Sequence, residues 1–591
     1  MSTDNGAPVR FLNYPTPTPR EIPYNAPPPR NNPVVKGVAL HYLANVVATV
    51  PGVAYLLWRN AGFASLRNLE ELDGVDPRYD PTVISLPRPG DERIESYTNA
   101  VNLRVLPKDA KGRFYTVADF HDAYKSGVLT PTDVVERLLP LIRRDIAQRS
   151  PLSTAFMESN VELIMQAAEA STKRWKQGTP LGMLDGVPFA VKDDLEVKGY
   201  KRYIGTRHDY TEGKEVETSW CARKVEEEGA ILVGKLTMHE LGMDVSGNNP
   251  IWGCPKNPLN DSYYPGGSSG GAASAVASGL IPFAIGSDGG GSVRIPSNFC
   301  GLYGLKTSHG RVSVAPMPDA GKSVTVRGPL ASSMADLEIS YRVLAQPDPS
   351  NISSSQFSPP RAVTGPRNKI LGICKPWFDR ADPPVQEACE SALQYLQSEL
   401  GYKVVDISIP LLHHGQLAHA MTIMAEGASA HKTSIYDLTP ANKVLMSVAR
   451  QTPATDFLLG QRVRNMLMEH LAHLFQAYPG LVIVTPTTPN AGWPIGDGDL
   501  AYGISDANTQ LKNMEYVWLS NFCGLPCIQL PVGYVNGVKG TGKVPIGLSG
   551  QAEWGSEDAL IEFGFDGEKW LNEGYAGGKV RPGGWVDVLK R

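Results

Sequence analysis

Residues 265–306, PGGSSGGAASAVASGLIPFAIGSDGGGSVRIPSNFCGLYGLK, constrain this chain more than any other stretch. Two Gly/Ser loops flank an Ala-rich segment and a short apolar run, and neither loop can sustain a helix or a sheet ladder for long. Ser268 and Ser269 stand at the head of the Ala-rich segment, where a hydroxyl meets the free N–H groups of a helix N-terminus. Residues 281–285 are predicted to form a buried strand, since a short apolar run bounded by glycines suits a central strand better than a helix. Directly after it, Asp288 is followed by Gly289, Gly290, Gly291 and Ser292, and three residues without Cβ let several N–H groups turn toward one point. Such a nest can hold a developing oxyanion, with Ser292 beside it as nucleophile.

Other readings compete for these loops. Either one alone could be a flexible Gly/Ser turn. Residues 267–271 also fit the G-x-S-x-G elbow with Ser269 at its centre, but that motif needs a strand immediately before it, and 261–265 (DSYYP) is a poor strand. No Walker A pattern occurs here.

The glycines, both serines, Arg294 and the run Phe299-Cys300-Gly301-Leu302 resemble the amidase signature family, whose members use a Ser-cisSer-Lys triad. The resemblance implies Ser292 as nucleophile and Ser268 as a bridging serine in a cis peptide with Gly267. It also implies Lys192, in residues 187–194 (VPFAVKDD), as base. The N–H groups of Gly289, Gly290, Gly291 and Ser292 would form the oxyanion hole, and Met243 and Ser269 would contact substrate. No metal or organic cofactor is required. A lysine base must be neutral, so Asp193 and Asp194 are expected to point away from it or to bond elsewhere. Asp288 and Arg294 are expected to brace the loops.

Between the lysine and the serines lies MHELGM (238–243), followed by GNN (247–249). The His-Glu pair lacks the second histidine of a zinc helix, so no metal site is expected there. Together with an apolar N-terminal segment, these motifs look most like the plant-type fatty acid amide hydrolases, which implies a lipid amide substrate.

The rest of the chain fits that frame. Residues 1–35 contain nine prolines and are expected to be an extended or disordered arm. Residues 36–113 form an N-terminal extension. Within it 37–58 is the most hydrophobic segment, read as two short helices hinged at Pro51 that dock on the core, cap an apolar tunnel, touch lipid or dimerise. Residues 114–591 form the catalytic domain. A capping box at Thr116 and Asp119, a cap at Thr130 before Pro131, and a helix over 161–176 precede the lysine strand. Helix then strand recurs at 219–228 and 231–233, and at 384–400 and 404–409. The fold class is therefore α/β, a large mixed β-sheet covered on both faces by helices, with an N-terminal helical extension. Met421, Met424, Met446, Met466 and Met468 lie in a helical stretch and are read as core filling rather than tunnel lining.

A formal charge of -4 gives no basic excess for nucleic acid, and seven cysteines without a C-x-x-C pair fit a reducing, intracellular setting. No charged region leads directly into an apolar core at the N-terminus, so a secretion signal is not expected. The expected activity is hydrolysis of N-acyl amines with long acyl chains. A small-amide, ester or carbamate hydrolase and an amidotransferase-type subunit supplying ammonia are the alternatives. A homodimer and peripheral membrane contact through residues 37–66 are the expected associations.

Overall fold

Eleven strands form the sheet around which the chain is wound. The computed structural model describes residues 10–24, 26, 31–87, 103–318, 321–360, 367–431 and 434–590. In chain order the strands are β1 (Phe156–Glu158), β2 (Pro188–Lys192), β3 (Ile231–Leu236), β4 (Phe283–Asp288), β5 (Tyr303–Lys306) and β6 (Val326–Ala331). They continue with β7 (Ile370–Ile373), β8 (Lys403–Asp406), β9 (Leu481–Pro486), β10 (Cys527–Asn536) and β11 (Lys543–Ala552). Their order across the sheet is β8-β7-β9-β11-β10-β5-β6-β4-β2-β3-β1. The strands β3, β2 and β4 run parallel, while β4 meets β6 antiparallel, so the sheet is mixed.

Every residue of β2, β3, β4, β6 and β9 is buried, which requires cover on both faces and explains why these strands read as apolar runs rather than alternating ones. Helices supply that cover, among them Pro383–Ser398 and Glu557–Lys569 against β10 and β11, and Met334–Leu344 against β6. The strand expected over 281–285 begins later, at Phe283, and runs to Asp288. Pro282 has no N–H for the ladder, and pairing continues to Asp288 opposite Val326. The capping boxes at Thr116 and Thr130 start helices Val117–Lys125 and Pro131–Ile142, and Asn160 caps Val161–Lys176.

At the N-terminus α1 (Gly37–Thr49) and α2 (Val53–Asn60) meet at 106° across Pro51-Gly52, with Gly52 in the left-handed region. No single helix among the described residues is long and apolar enough to cross a membrane. Leu40, Ala44, Val47, Ala54 and Trp58 face inward and are buried, whereas Val38, Tyr42, Val46, Val50 and Leu56 are exposed. Ahead of them, residues 10–24 run extended over the core. Phe11–Leu12 pairs with Ile84–Ser85, Tyr14 donates to Glu553 at 2.6 Å and Arg20 pairs with Glu469 at 2.9 Å. The expectations for 1–9, 25, 27–30 and 88–102 lie outside the described residues.

The helix α3 (Gly270–Ala277) follows the first Gly/Ser loop and is buried over its whole length. Its residues are Gly, Ala, Ser and one Val, which lets its backbone approach its neighbours closely. At Gly271 a Cβ would lie 2.4 Å from the Ala155 carbonyl oxygen and 2.5 Å from that of Thr237, while its N–H donates to Thr237 at 2.9 Å. Backbone cannot swing aside as a side chain can. Gly271→Val is therefore expected to destabilise the fold by at least ~2 kcal/mol, read as a lower urea midpoint at unchanged slope; a midpoint equal to that of the wild type would refute this packing.

Candidate active site

Adjacent parallel strands bring the first two functional segments together. β2 and β4 pair through Ala190 with Ala284 and Val191 with Ile285, so the carboxyl end of β2 sets Lys192 beside the carboxyl end of β4, where the glycine loop begins. Ligand crevices form outside such strand ends. The third segment, Ser268 and Ser269, enters α3 over the same edge, and the Gly267–Ser268 peptide is cis.

Lys192 is buried, and its Nζ lies 2.7 Å from Ser268 Oγ and 2.7 Å from Ser287 Oγ. Burial pushes the ammonium down to about 8, against the opposing pull of the Asp194 carboxylate. Neither neighbouring carboxylate forms an ion pair with it. Asp193 pairs with the buried Lys235 at 3.2 Å and accepts from the Tyr203 and Gly205 N–H groups at 3.1 and 3.2 Å. Asp194 faces Arg327 at 3.8 Å. Ser292 is nearly buried, its carbonyl accepts from the Ser269 N–H at 3.3 Å, and its Oγ forms no hydrogen bond among the described residues.

The glycine loop is held by one carboxylate. Asp288 Oδ1 accepts from the Gly291 N–H at 2.7 Å and Oδ2 from the Val293 N–H at 3.1 Å. Arg294 closes a bidentate pair on it at 2.9 and 3.0 Å, both residues being fully buried. Burial opposes the charged form, yet Arg294, Lys306 and the Gly291 N–H together hold the Asp288 carboxyl well below the usual range. The Arg294 guanidinium extends to Asn521 at 2.6 Å and Ser520 at 2.8 Å.

This geometry corrects two expectations. The Gly291 N–H is spent on Asp288 and is not free for an oxyanion, which leaves Gly289, Gly290 and Ser292; the amides of Gly290 and Ser292 have no protein acceptor among the described residues. Ser269 does not touch a substrate space. It is fully buried, and its Oγ donates to the Ser287 carbonyl at 3.3 Å, bracing β4 against α3.

Two cavities meet at Ser292. An apolar one of about 320 Å³ runs from Ser292, Gly290 and Met243 between α1–α2 and the pair α4 (Leu412–Ala430) and α5 (Pro440–Ala449). Leu43, Val47, Leu57, Ile423, Met424 and Leu445 are among its walls. A smaller one of about 90 Å³, more polar than the first, holds Lys192, Asp194, Ser268, Ser287 and Arg327. Met243 and Ile423 line both. Met424 is thus a wall residue, whereas Met421, Met446, Met466 and Met468 are buried core, as the sequence suggested for the group.

Met243 reaches this junction through a strained turn. Leu241 and Gly242 both have positive φ, +56° and +71°. The preceding Glu240 carboxylate accepts from Thr439 N–H at 3.0 Å and Asn442 Nδ2 at 3.1 Å at the start of α5, fixing the turn to the cavity wall. The Met243 methyl packs against Gly427, where a Cβ would lie 2.1 Å from it, so any larger residue there would make the methionine side chain shift. The HELG segment is a short helical turn, Glu240–Gly242, and no group of three metal-ligating side chains occurs among the described residues. Ser287, Asn521, Glu240 and His419, all in contact with the site or its loops, were not found from the sequence. Ser287 stands one residue before Asp288 and Glu240 within MHELGM, but neither was assigned a role there.

Comparison with known proteins identifies the family. A sequence profile described as Amidase matches residues 137–561. A fatty acid amide hydrolase of Medicago truncatula is 33% identical over 87% of this chain and 87% of its own length. One from Arabidopsis thaliana is 31% identical over 78% of this chain and 79% of its own. The crystal structure of a bacterial aryl acylamidase of the amidase signature family superimposes with a TM-score of 0.66 at 24% identity, covering 78% of this chain and 96% of that one, which speaks to the fold. With the profile spanning most of the chain and a relative 33% identical over most of both lengths, the chain belongs to the amidase signature family and is an amide hydrolase.

Proposed function

We propose that this enzyme hydrolyses N-acyl amines with long acyl chains, N-acylethanolamines or related fatty acid amides, through Ser292, Ser268 and Lys192. The observation that carries the substrate class is the apolar cavity that starts at Ser292 and ends under α1 and α2. The similarity to fatty acid amide hydrolases supports the same reading.

Neutral Lys192 takes the proton of Ser268 across their 2.7 Å contact as Ser268 takes that of Ser292. Ser292 Oγ bonds to the amide carbon, and the Gly289, Gly290 and Ser292 N–H groups hold the oxygen as it becomes negative. The relay closes when the substrate carbonyl seats on those amides and turns Ser292 toward Ser268. The acyl chain occupies the apolar cavity, which contains neither Lys192 nor Ser268, so the leaving nitrogen faces the polar cavity that contains both. There it receives the proton back through Ser268, the C–N bond breaks, and water repeats the sequence on the acyl-enzyme to release the acid. Seven unpaired cysteines support an intracellular setting.

The exposed outer face of α1–α2 supports contact with a lipid surface, since the inner face of the same helices lines the acyl cavity. Sedimentation with phosphatidylcholine vesicles is expected to pull the protein down, and Tyr42→Glu with Leu56→Glu to weaken this about 10-fold or more. A second copy of the chain on this face would instead give a lipid-free dimer that the same variant dissociates.

Two kinetic results are expected. Across a series of N-acylethanolamines, kcat/KM should rise about fourfold per added methylene until the cavity is full, and Ser292→Ala should abolish turnover; equal rates on acetyl and long-chain amides would sink the lipid reading while leaving the triad intact. Because the base is an amine held down to about 8 by burial, kcat/KM should climb with pH through about 8 and level off above it. Asp194→Asn removes the charge that pulls Lys192 upward, so this limb should move to lower pH; a limb that stays in place or moves up would contradict Lys192 as the base.

A further inference from the structure

Gly289 and Gly290 have no side chains by which the protein could grip them, so their peptide planes must be held through their own polar atoms. Two carbonyls of the loop are gripped from outside it. Asn521 Nδ2 donates to the Asp288 carbonyl at 2.9 Å, and His419 Nε2 lies 2.8 Å from the Gly289 carbonyl oxygen. A carbonyl only accepts, so Nε2 carries the ring hydrogen and Nδ1 is the bare nitrogen. That Nδ1 is buried without a hydrogen-bond partner among the described residues, a cost that a side chain serving only to fill space would not need to bear.

In a trans peptide the N–H points opposite to the C=O. Fixing the Gly289 carbonyl toward His419 therefore turns the Gly290 N–H the other way. His419 lines neither cavity, while Gly290 and Ser292 line the apolar one, so the other way is the catalytic side. From this geometry we infer that His419 is a positioning residue of the oxyanion hole, its Nε2–H holding the Gly289 carbonyl so that the Gly290 N–H meets the substrate oxygen in the transition state. Burial pushes the imidazole down to about 4, which keeps the ring neutral over the range in which Lys192 titrates. The room for this contact is tight, since a Cβ on Gly290 would lie 3.1 Å from the His419 ring.

The same helix, α4, presents Ala420, Ile423 and Met424 to the apolar cavity, and a Cβ on Gly289 would lie 3.0 Å from the Ile423 side chain. The acyl wall and the oxyanion loop are thus seated on one element. The inference rests on the amide-hydrolase assignment and on Ser292 as nucleophile, and not on the length of the acyl chain.

The test compares full-length wild type with His419→Leu, which cannot donate, and His419→Gln, whose amide can. The substrate is one amide that the wild type turns over, and the probe is a trifluoromethyl ketone with the same acyl group, to which Ser292 adds to form a tetrahedral oxyanion. KM and Ki do not depend on how much of each preparation is folded, so a partly unfolded variant is still informative. His419→Leu should lower kcat by about 10-fold to 100-fold and raise the ketone Ki by a similar factor, with KM within about twofold. His419→Gln should recover most of both. The inference is overturned if His419→Leu leaves kcat and Ki unchanged, if Ki and KM rise together, or if His419→Gln is as impaired as His419→Leu. Full activity of Ser292→Ala would remove the nucleophile assignment itself and this inference with it.

Discussion

A carboxylate with no access to water, Asp288, determines what the rest of the site can be. It sits at the end of a central strand, and its two oxygens accept from Gly291, Val293 and Arg294. Two fully buried charges are tolerable only when each is paired and every donor is used, and removing one partner of such a pair costs about 3–5 kcal/mol. This pair meets that condition, with the guanidinium passing its remaining hydrogens to Ser520, Asn521 and the Val517 carbonyl. A run of three glycines, left to itself, would sample many shapes. Tied to Asp288 on one side and to Asn521 and His419 on the other, it is restricted to one.

Lys192 poses the opposite electrostatic problem. As the proposed base it must give up its proton near neutrality, yet it stands next to two aspartates in sequence. The conflict is resolved in space: Asp193 is drawn to Lys235 and Asp194 faces Arg327, so desolvation prevails over attraction at Nζ. Charges that would defeat the base are thereby used to hold neighbouring strands and loops together.

Much of this was legible in the sequence, and the part that was not has a physical reason. Ser292 and the glycine loop carry short-range signals, a serine after three glycines in succession, whereas Lys192 and the bridging role of Ser268 came only from the resemblance of their motifs to a family. Buried strands announced themselves as apolar stretches, but their bounds were less legible: β3 runs on to Leu236, β8 stops at Asp406, and β4 starts only at Phe283, since Pro282 forbids a ladder bond that hydrophobicity alone would allow. The loss of the Gly291 amide to Asp288 depends on a side-chain orientation that no spacing reveals. His419 and Asn521 lie 130 and 233 positions from the loop they hold, each a single polar residue in an otherwise ordinary helical pattern. Residues of this kind acquire meaning only when the chain is folded.

The two cavities touch each other only around Ser292, Met243 and their immediate neighbours, and this fixes an order of events. In the proposed reaction the acyl chain fills the apolar space and the amine the polar one until the C–N bond is broken, water then enters where the amine has left, beside Ser268 and Lys192, and the acid leaves last. Any small nucleophile that enters the vacated polar space ahead of water would take the acyl group in its stead, so an architecture built for hydrolysis is also, by its plumbing, one for acyl exchange.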